Sequence, residues 1–242
     1  DKTITKEALA MIEADETLIA QKTTVLFKQD WHKGVIGIVA SRCIENYYRP
    51  TIILTESKGV AAGSARSVKG FSVYNAIEEC ADLLEQFGGH KYAAGMTMPL
   101  KNVTAFQKKF EEVVASSIDP DLLIPEIEID AELDLADIES KFYRVLKQFA
   151  PFGPLNMKPT FMSKGVYEKG QARIVGDNHL KLEVVANKND TRGIAGIAFN
   201  LGTKMDLLKS GEPFDVVYHI EENEWQGRTS LQLMVQDIKK SE

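Results

Sequence analysis

The chain has 242 residues, of which 44% are hydrophobic and 26% charged, with 17 Gly, 8 Pro and 2 Cys. These proportions are typical of folded globular proteins and exclude a collagen-like chain, a disordered tail and a disulfide scaffold. The length predicts one large or two ordinary domains. Without a secretory signal or an apolar run near the ~20 residues that cross a bilayer, the sequence predicts a cytoplasmic protein with no membrane contact.

Charge is distributed unevenly along the chain, although the net charge is only −6. Residues 119–140 contain nine acidic and no basic residues, whereas residues 141–192 contain ten basic residues against four acidic ones. Such a chain is not a general DNA-coating protein, but it can still bind nucleic acid in a local cleft. Prolines at 120 and 125 stop a preceding helix, so residues 119–140 are predicted to be an acidic linker that starts the second domain.

The elements before this linker alternate between strand and helix. Short β-prone runs occupy residues 23–28, 51–55 and 60–64, and apolar spacings of three or four predict helices over residues 34–47, 73–87 and 103–113. This alternation predicts a layered α/β domain over residues 22–118. Cys43 and Cys80 fall on the apolar stripes and are predicted to be buried free thiols.

The elements after the linker are mainly strands. A helix is predicted over residues 136–149, and six short strands follow between residues 160 and 238, separated by Gly, Asn and Asp. A series of this kind favours a small all-β barrel such as an OB-fold over a sandwich, so an OB-fold domain is predicted over residues 141–242. Barrels of this class bind oligonucleotides.

Two glycine-containing segments of the first domain could hold an anion. Gly63-Ser64-Ala65-Arg66-Ser67 is predicted to be a loop in which Ser64, Arg66 and Ser67 donate hydrogen bonds to a phosphate. A turn with a solvated arginine would give the same pattern.

The second segment, Gly88-Gly89-His90, follows a helix that is predicted to end at Phe87. Gly88 would close that helix in the left-handed conformation, which leaves Gly89 and His90 for a ligand. A purely structural histidine is the alternative.

The second domain offers positive charge and an aromatic ring. Arg173 and Lys181 belong to the basic block, and Trp225 and Arg228 lie in a predicted hairpin over residues 223–228. Cations that follow a backbone, with a ring on which a base stacks, are how such barrels hold single strands. Trp225 as a core residue that caps the barrel is the alternative.

Signatures of metal-dependent catalysis are missing from the sequence. It has no Asp-His-His run, and its four histidines are not spaced as a ligand pair. A two-metal phosphodiesterase needs several Asp, His or Glu ligands around ions ~4 Å apart. We therefore expect no catalytic residue, no bound metal and no other cofactor in this chain.

Several motifs together resemble the RecJ family of single-strand-specific exonucleases. The residues from Trp31 to Arg42, the 63–67 segment and Phe87-Gly88-Gly89-His90 are similar to the family's DHH-associated domain. The run from Ala150 to Asn156 and the 223–228 hairpin are similar to its OB domain. The resemblance implies a mixed sheet with helices in the first lobe, and a connecting helix over residues 1–21. It also implies that the 63–67 segment and Gly88-Gly89-His90 contact the phosphates of the substrate.

The resemblance also implies a function in outline. RecJ-type enzymes hydrolyse single-stranded DNA from the 5′ end in DNA repair and recombination, with Mn²⁺ or Mg²⁺ held by a DHH domain. That domain is missing here, and the sequence begins at Asp1 instead of Met, as expected of a piece of a longer protein. The expected partners are single-stranded DNA and a single-stranded-DNA-binding protein. Two alternatives stay open: a non-catalytic nucleic-acid or protein interaction module, and part of a DHH phosphoesterase that acts on short oligonucleotides.

Overall fold

The computed structural model describes residues 1–241, and the side chain of Trp225 lies outside that description. The chain divides into two compact units, Asp1–Glu126 and a second unit that starts at Ile127. In the part of the chain that is described, every helix is too short or too polar to cross a bilayer.

A five-stranded mixed sheet forms the centre of the first unit. Its strands are β1 (Thr24–Phe27), β2 (Thr51–Ser57), β3 (Val60–Arg66), β4 (Gln86–His90) and β5 (Ala93–Pro99). The strand order is β1-β2-β3-β5-β4, in which only β1 and β2 run parallel. The β-branched and apolar residues of β2 are buried on both faces, as expected of a central strand.

Helices pack on both faces of this sheet. They are α1 (Lys2–Glu13), α2 (Glu16–Ala20), α3 (Ile36–Asn46), α4 (Val73–Glu78) and α5 (Val103–Ser117). The core on the α4 and α5 side contains Phe106 and Phe110, and the core on the α1 and α3 side contains Ile12 and Val39. The predicted layered α/β architecture is therefore present.

The two cysteines are buried in these cores as free thiols, as predicted. Burial raises the pKa of Cys43 and of Cys80 to about 11.

Two predictions for the first unit are wrong. The helix predicted over residues 73–87 ends at Glu78, and Phe87 lies in strand β4. The apolar spacing is misleading because Phe87 packs on the same core as α4, where its ring centroid is 5.7 Å from that of Tyr74. Residues 63–66 are part of β3 and not of a loop, because small residues fit between the paired strands β2 and β5.

The connecting helix that the resemblance implies over residues 1–21 is two helices. Helix α1 ends at Glu13, with Ala14 as its C-cap. The Asp15 side chain then accepts hydrogen bonds from Thr17 N and Leu18 N and so caps the start of α2.

The second unit is built on a seven-stranded sheet. Its strands are β6 (Ala131–Glu132), β7 (Phe161–Glu168), β8 (Arg173–Val175), β9 (His179–Val185), β10 (Ile194–Ala198), β11 (Phe214–Trp225) and β12 (Arg228–Lys240). Pairing runs β7-β11-β12-β10-β9 and returns from β9 to β7 through Tyr167↔Val185 and Glu168↔Val184. This ring, with β10 parallel to β12, is the predicted OB-fold arrangement.

Short helices flank the barrel strands. The helix predicted over residues 136–149 is the shorter α6 (Ser140–Leu146), preceded and followed by 3₁₀ turns. Helix α7 (Met205–Lys209), between β10 and β11, is absent from the sequence prediction. It buries only Met205 and Leu208, so its five residues carry too short a pattern to be recognised.

Candidate nucleic-acid interface

Part of the first unit's sheet is open to solvent on the face where α3 lies. The register aligns Ser64 with Gly95 and Gly88, and Arg66 with Ala93 and His90, in two rows across β3, β5 and β4. Because strand residues alternate between faces, all six share one face. Helix α3 packs over β2 and β3 but leaves Gly88, His90 and Gly95 exposed.

Arg66 is held at the end of β3 with its guanidinium fixed. Its Nη1 donates to Ser64 Oγ at 3.2 Å and to Ala65 O at 2.8 Å. A Cβ at Gly37 would lie 2.9 Å from Arg66 Nη2, so the glycine on α3 makes room for the guanidinium. Within residues 1–241, no carboxylate forms a salt bridge with Arg66. A half-buried, oriented cation without an acidic partner is suited to bind an anion.

His90 ends β4 in the same row as Arg66. Its Nδ1 accepts a hydrogen bond from Tyr92 N at 3.3 Å, so the neutral ring carries its proton on Nε2. The ring is exposed, and its Nε2 has no hydrogen-bond partner among the described residues. Because neighbouring strands are ~4.8 Å apart, His90 lies ~10 Å from Arg66 across Ala93. The two donors therefore line one end of the open face.

The prediction that Gly88 closes a helix in the left-handed conformation is wrong, because Gly88 lies in β4 and the positive φ occurs at Gly89. Gly89 has a φ of +151°, and a Cβ there would lie 2.3 Å from Ala93 O, so the backbone requires glycine. A Cβ at Gly88 would meet nothing within 4 Å, and Gly88 does not have a positive φ. Gly88 is thus the glycine that the fold does not need, and Gly89 is structural.

Ser67 contributes to the turn that follows β3. Its Oγ donates to Phe71 O at 3.0 Å and its backbone N–H to Tyr92 O at 3.0 Å. The Ser67 hydroxyl proton is therefore used inside the protein, unlike the free donors of Arg66 and His90.

A pocket of about 320 Å³ lies over the open face and includes residues that sequence reasoning did not single out. Gly88 and Gly95 line it together with Lys33, Gln86 and Thr97. Gln86 pairs directly with Thr97 across β4 and β5. Only the strand register reveals this group, because the five residues are far apart in the sequence.

In the second unit, Arg173 and Lys181 are directly opposite each other on β8 and β9. Both are exposed, whereas Leu180 and Leu182 on either side of Lys181 point into the core. In the described part of the chain neither cation forms a salt bridge with a carboxylate. Like charges directly opposite in an antiparallel pair destabilise a sheet, so these two cations lower the stability of the fold.

Other cations of the basic block are already neutralised. Lys158 pairs with Glu221, Lys164 with Glu132 at 2.7 Å, and Lys169 with Glu183 at 2.9 Å. These three lysines are therefore poorer candidates for phosphate binding than Arg173 and Lys181.

An aromatic pair, His179 and Phe199, lies beside Arg173 and Lys181 and was not predicted from the sequence. Phe199 directly follows β10, is 53% exposed, and has its ring centroid 5.0 Å from that of His179 at an angle of 73°. The β9–β10 register, extended by one residue, puts Phe199 opposite His179. His179 Nδ1 accepts from Asn200 N at 3.1 Å, which holds the histidine ring in place. Phe199 thus offers a supported ring for base stacking.

The hairpin with the other two candidates is farther away. Trp225 pairs with Arg228 across a two-residue turn, Gln226-Gly227, in which both φ angles are positive. Arg228 is exposed, and it lies six residues along β12 from Met234, or ~20 Å. Met234 is in the same cross-strand row as Lys181, so the four candidates of this unit form two separate groups.

Metal coordination has no support among the residues that the structure describes. No group of three or more His, Cys, Asp or Glu side chains there could hold a metal ion. Exposed carboxylates at residues 126, 128, 130 and 132 lie on the acidic linker, where β6 has only two residues. The residues present therefore do not fit a catalytic Mn²⁺ or Mg²⁺ site.

Comparisons with known proteins agree with this architecture. The family model of the DHHA1 domain matches residues 17–116, and that of the RecJ OB domain matches residues 129–237. The single-stranded-DNA-specific exonuclease RecJ of Bacillus subtilis is 34% identical over 99% of this chain and 30% of its own length. RecJ of Salmonella typhimurium is 33% identical over 88% of this chain and 37% of its own length.

A solved structure is similar to both units. The crystal structure of RecJ from Thermus thermophilus in complex with Mn²⁺ matches with a TM-score of 0.80 and 29% identity. The match covers 100% of this chain and 34% of that protein. The chain thus spans about a third of the length of its relatives, and the predicted resemblance and fold class are confirmed.

Proposed function

Since this chain is a DHHA1 domain joined to a RecJ OB domain, as in the C-terminal part of RecJ, we propose that it holds the substrate for a 5′–3′ single-stranded-DNA exonuclease. The parent enzyme would act in DNA repair and recombination. Its proposed location is the cytoplasm, and a single-stranded-DNA-binding protein is a further proposed partner.

The observation that carries this proposal is the open face of the first unit's sheet. Arg66 and His90 line one end of it with donors that have no anionic partner among the described residues. Gly88 and Gly95 are exposed and have no side chains, so nothing projects from this part of the open face and a sugar–phosphate backbone can approach the strands closely. We propose that Arg66 and His90 bind phosphate oxygens, and that Ser64 orients Arg66.

The OB unit would bind a more distant part of the strand. Arg173 and Lys181 supply charge for two phosphates, and Phe199 supplies a face for one base. Stacking of this kind tolerates any base, as an exonuclease requires. Trp225 and Arg228, at the hairpin, are proposed as a separate contact with the strand.

Hydrolysis itself would need groups outside these residues. Bound Mn²⁺ or Mg²⁺ would activate water and neutralise the phosphate charge, but the described residues include no ligand cluster for either ion. We propose that the ions bind to a DHH domain elsewhere in the parent protein. This chain on its own would then bind single-stranded DNA without cutting it.

Fluorescence anisotropy with single-stranded and duplex oligonucleotides of equal length tests the proposal. We expect clear preference for the single strand and, in a parallel assay with Mn²⁺, no cleavage by the purified chain. Equal or absent binding of both oligonucleotides would contradict the proposal that this chain binds the single-stranded substrate. Cleavage by the purified chain would contradict the proposal that hydrolysis needs a DHH domain elsewhere in the parent protein.

A further inference from the structure

Strand β1 is an edge of the first unit's sheet, because among the described strands it pairs only with β2. Thr24 N and Lys28 N donate to backbone carbonyls of β2 and of the residue before it, at 2.9 and 3.2 Å. Backbone groups of successive strand residues point in alternate directions, so those of Val25 and Phe27 point away from the sheet. Such a row of outward backbone groups is a template for a further strand.

The Gln107 side chain confirms this direction and covers part of the edge. From helix α5, its Nε2 donates to Val25 O at 2.9 Å. Within residues 1–241, no side chain forms a hydrogen bond with the backbone of Phe27. The N–H and C=O of Phe27 and the N–H of Val25 are therefore available to another chain.

A cleft of about 590 Å³ lies along this edge. Its floor is β1 from Val25 to Phe27. Met11 and Leu18, from α1 and α2, lie in one wall, and Gln107 of α5 lies in the other. Because α1 and α5 pack on opposite faces of the sheet, the cleft between them is open along the line that a sixth strand would follow.

The walls of this cleft carry mainly negative charge. Asp15, Glu111 and Glu112 line it, and Lys108 is the lining cation, 3.9 Å from Glu112. Residues 1–21, which form the wall of α1 and α2, contain five acidic and two basic residues. Such a field repels the phosphates of a nucleic acid and attracts lysine and arginine side chains.

We propose that the cleft beside β1 binds an extended basic segment of a partner protein by β-strand addition. The segment exchanges backbone hydrogen bonds with Phe27, as an added strand does at a sheet edge. Its side chains alternate between the walls, so apolar ones contact α1 and α2 while basic ones face Glu112 on α5. Gln107 ends the added strand at Val25, whose carbonyl it already occupies. The site lies at the edge opposite β4 and does not depend on the proposed DNA binding.

The test uses capped, fluorescently labelled peptides of about six residues in which Lys and Val alternate, long enough to pair along the four residues of β1. Two further versions carry N-methyl groups, one on the Lys amides and one on the Val amides. Only one of these two sets faces β1 in an added strand. We expect one methylated peptide to lose about tenfold or more in affinity and the other less than about twofold.

Two charge reversals and an NMR experiment locate the peptide. Glu112→Lys should weaken binding of the unmethylated peptide about fivefold at low salt, whereas Glu45→Lys, the same change on the exposed side of α3, should alter it less than about twofold. The amide signals of Val25 and Phe27 should shift as the peptide is added.

Equal binding of the two methylated peptides, or equal effects of the two charge reversals, would overturn strand addition at β1. Failure of the unmethylated peptide to bind would overturn it as well. Displacement of the peptide by an oligothymidylate would place it on the DNA-binding face and refute a separate site. None of these results bears on the proposed function, which the oligonucleotide assay tests independently.

Discussion

Replacing Arg66 with alanine is the most informative change to the phosphate end of the open face. The side chain is half-buried at the end of β3, and its protein contacts are hydrogen bonds to Ser64 Oγ and Ala65 O. The variant should therefore fold with nearly unchanged stability. A hydrogen bond to a charged group is worth ~1.5–3 kcal/mol, so single-strand affinity should fall roughly 10- to 150-fold.

The salt dependence of binding distinguishes a phosphate contact from a general loss of affinity. Each phosphate neutralised on a single strand contributes ~0.7 to the slope of log K against log salt concentration, so Arg66→Ala should lower that slope by ~0.7. Arg66→Lys is the matched control, because it keeps the charge and loses only the planar fork. It should retain the slope with a smaller loss of affinity.

The assay is a fluorescence anisotropy titration with an oligothymidylate of about 16 nucleotides, between about 50 and 200 mM salt. Urea unfolding of each variant checks that the fold is intact. A slope in Arg66→Ala equal to that of the wild type would refute the assignment of Arg66 to a phosphate, whatever happens to the affinity.

Three further predictions address the glycines, the cation pair and a buried phenol. Gly89→Ala should lower the free energy of unfolding by ~2–4 kcal/mol, whereas Gly88→Ala should leave it unchanged or raise it by up to ~1 kcal/mol; equal effects in urea unfolding would refute the assigned roles. Lys181→Ala should stabilise the fold by ~0.2–1 kcal/mol through relief of repulsion from Arg173 while weakening DNA binding; a loss of stability would mean that the pair is not repulsive. Burial raises the pKa of Tyr218 to about 12. The free energy of unfolding of the wild type should therefore be constant below pH ~10 and fall above it, because the phenol ionises more readily in the unfolded chain. Tyr218→Phe should lack this loss when unfolding is measured from pH ~9 to ~11.

Sequence reasoning identified the architecture because the strongest patterns are local. Burial of a single face sets these patterns. It places Phe106 and Phe110 four residues apart, as on one face of a helix, and Leu180 and Leu182 two residues apart, as on one face of a strand. It failed at Phe87, where a strand residue packs on the same core as helix α4 and therefore imitates helical spacing. Tertiary packing and not the local pattern decides such positions.

Residue types in the sequence indicate the candidate site but not its geometry. Arg66 and His90, which were predicted from residue type, lie in one row, whereas the left-handed conformation predicted for Gly88 occurs at Gly89. The sequence contains no record of cross-strand register, so it could not show that Gln86 faces Thr97 or that Phe199 lies beside His179. Such pairs arise only when separate strands are aligned.

Amide hydrogen exchange of the chain with and without a saturating oligothymidylate tests the central claim most directly. If single-stranded DNA lies on the open sheet face and on the face of β8 and β9 that carries Arg173 and Lys181, amide exchange should slow in residues 62–67, 86–97 and 173–183. The back of the first unit's sheet, beneath α5, should be unaffected. Protection confined to other segments, or absent at saturating ligand, would contradict the claim that these two faces hold the strand.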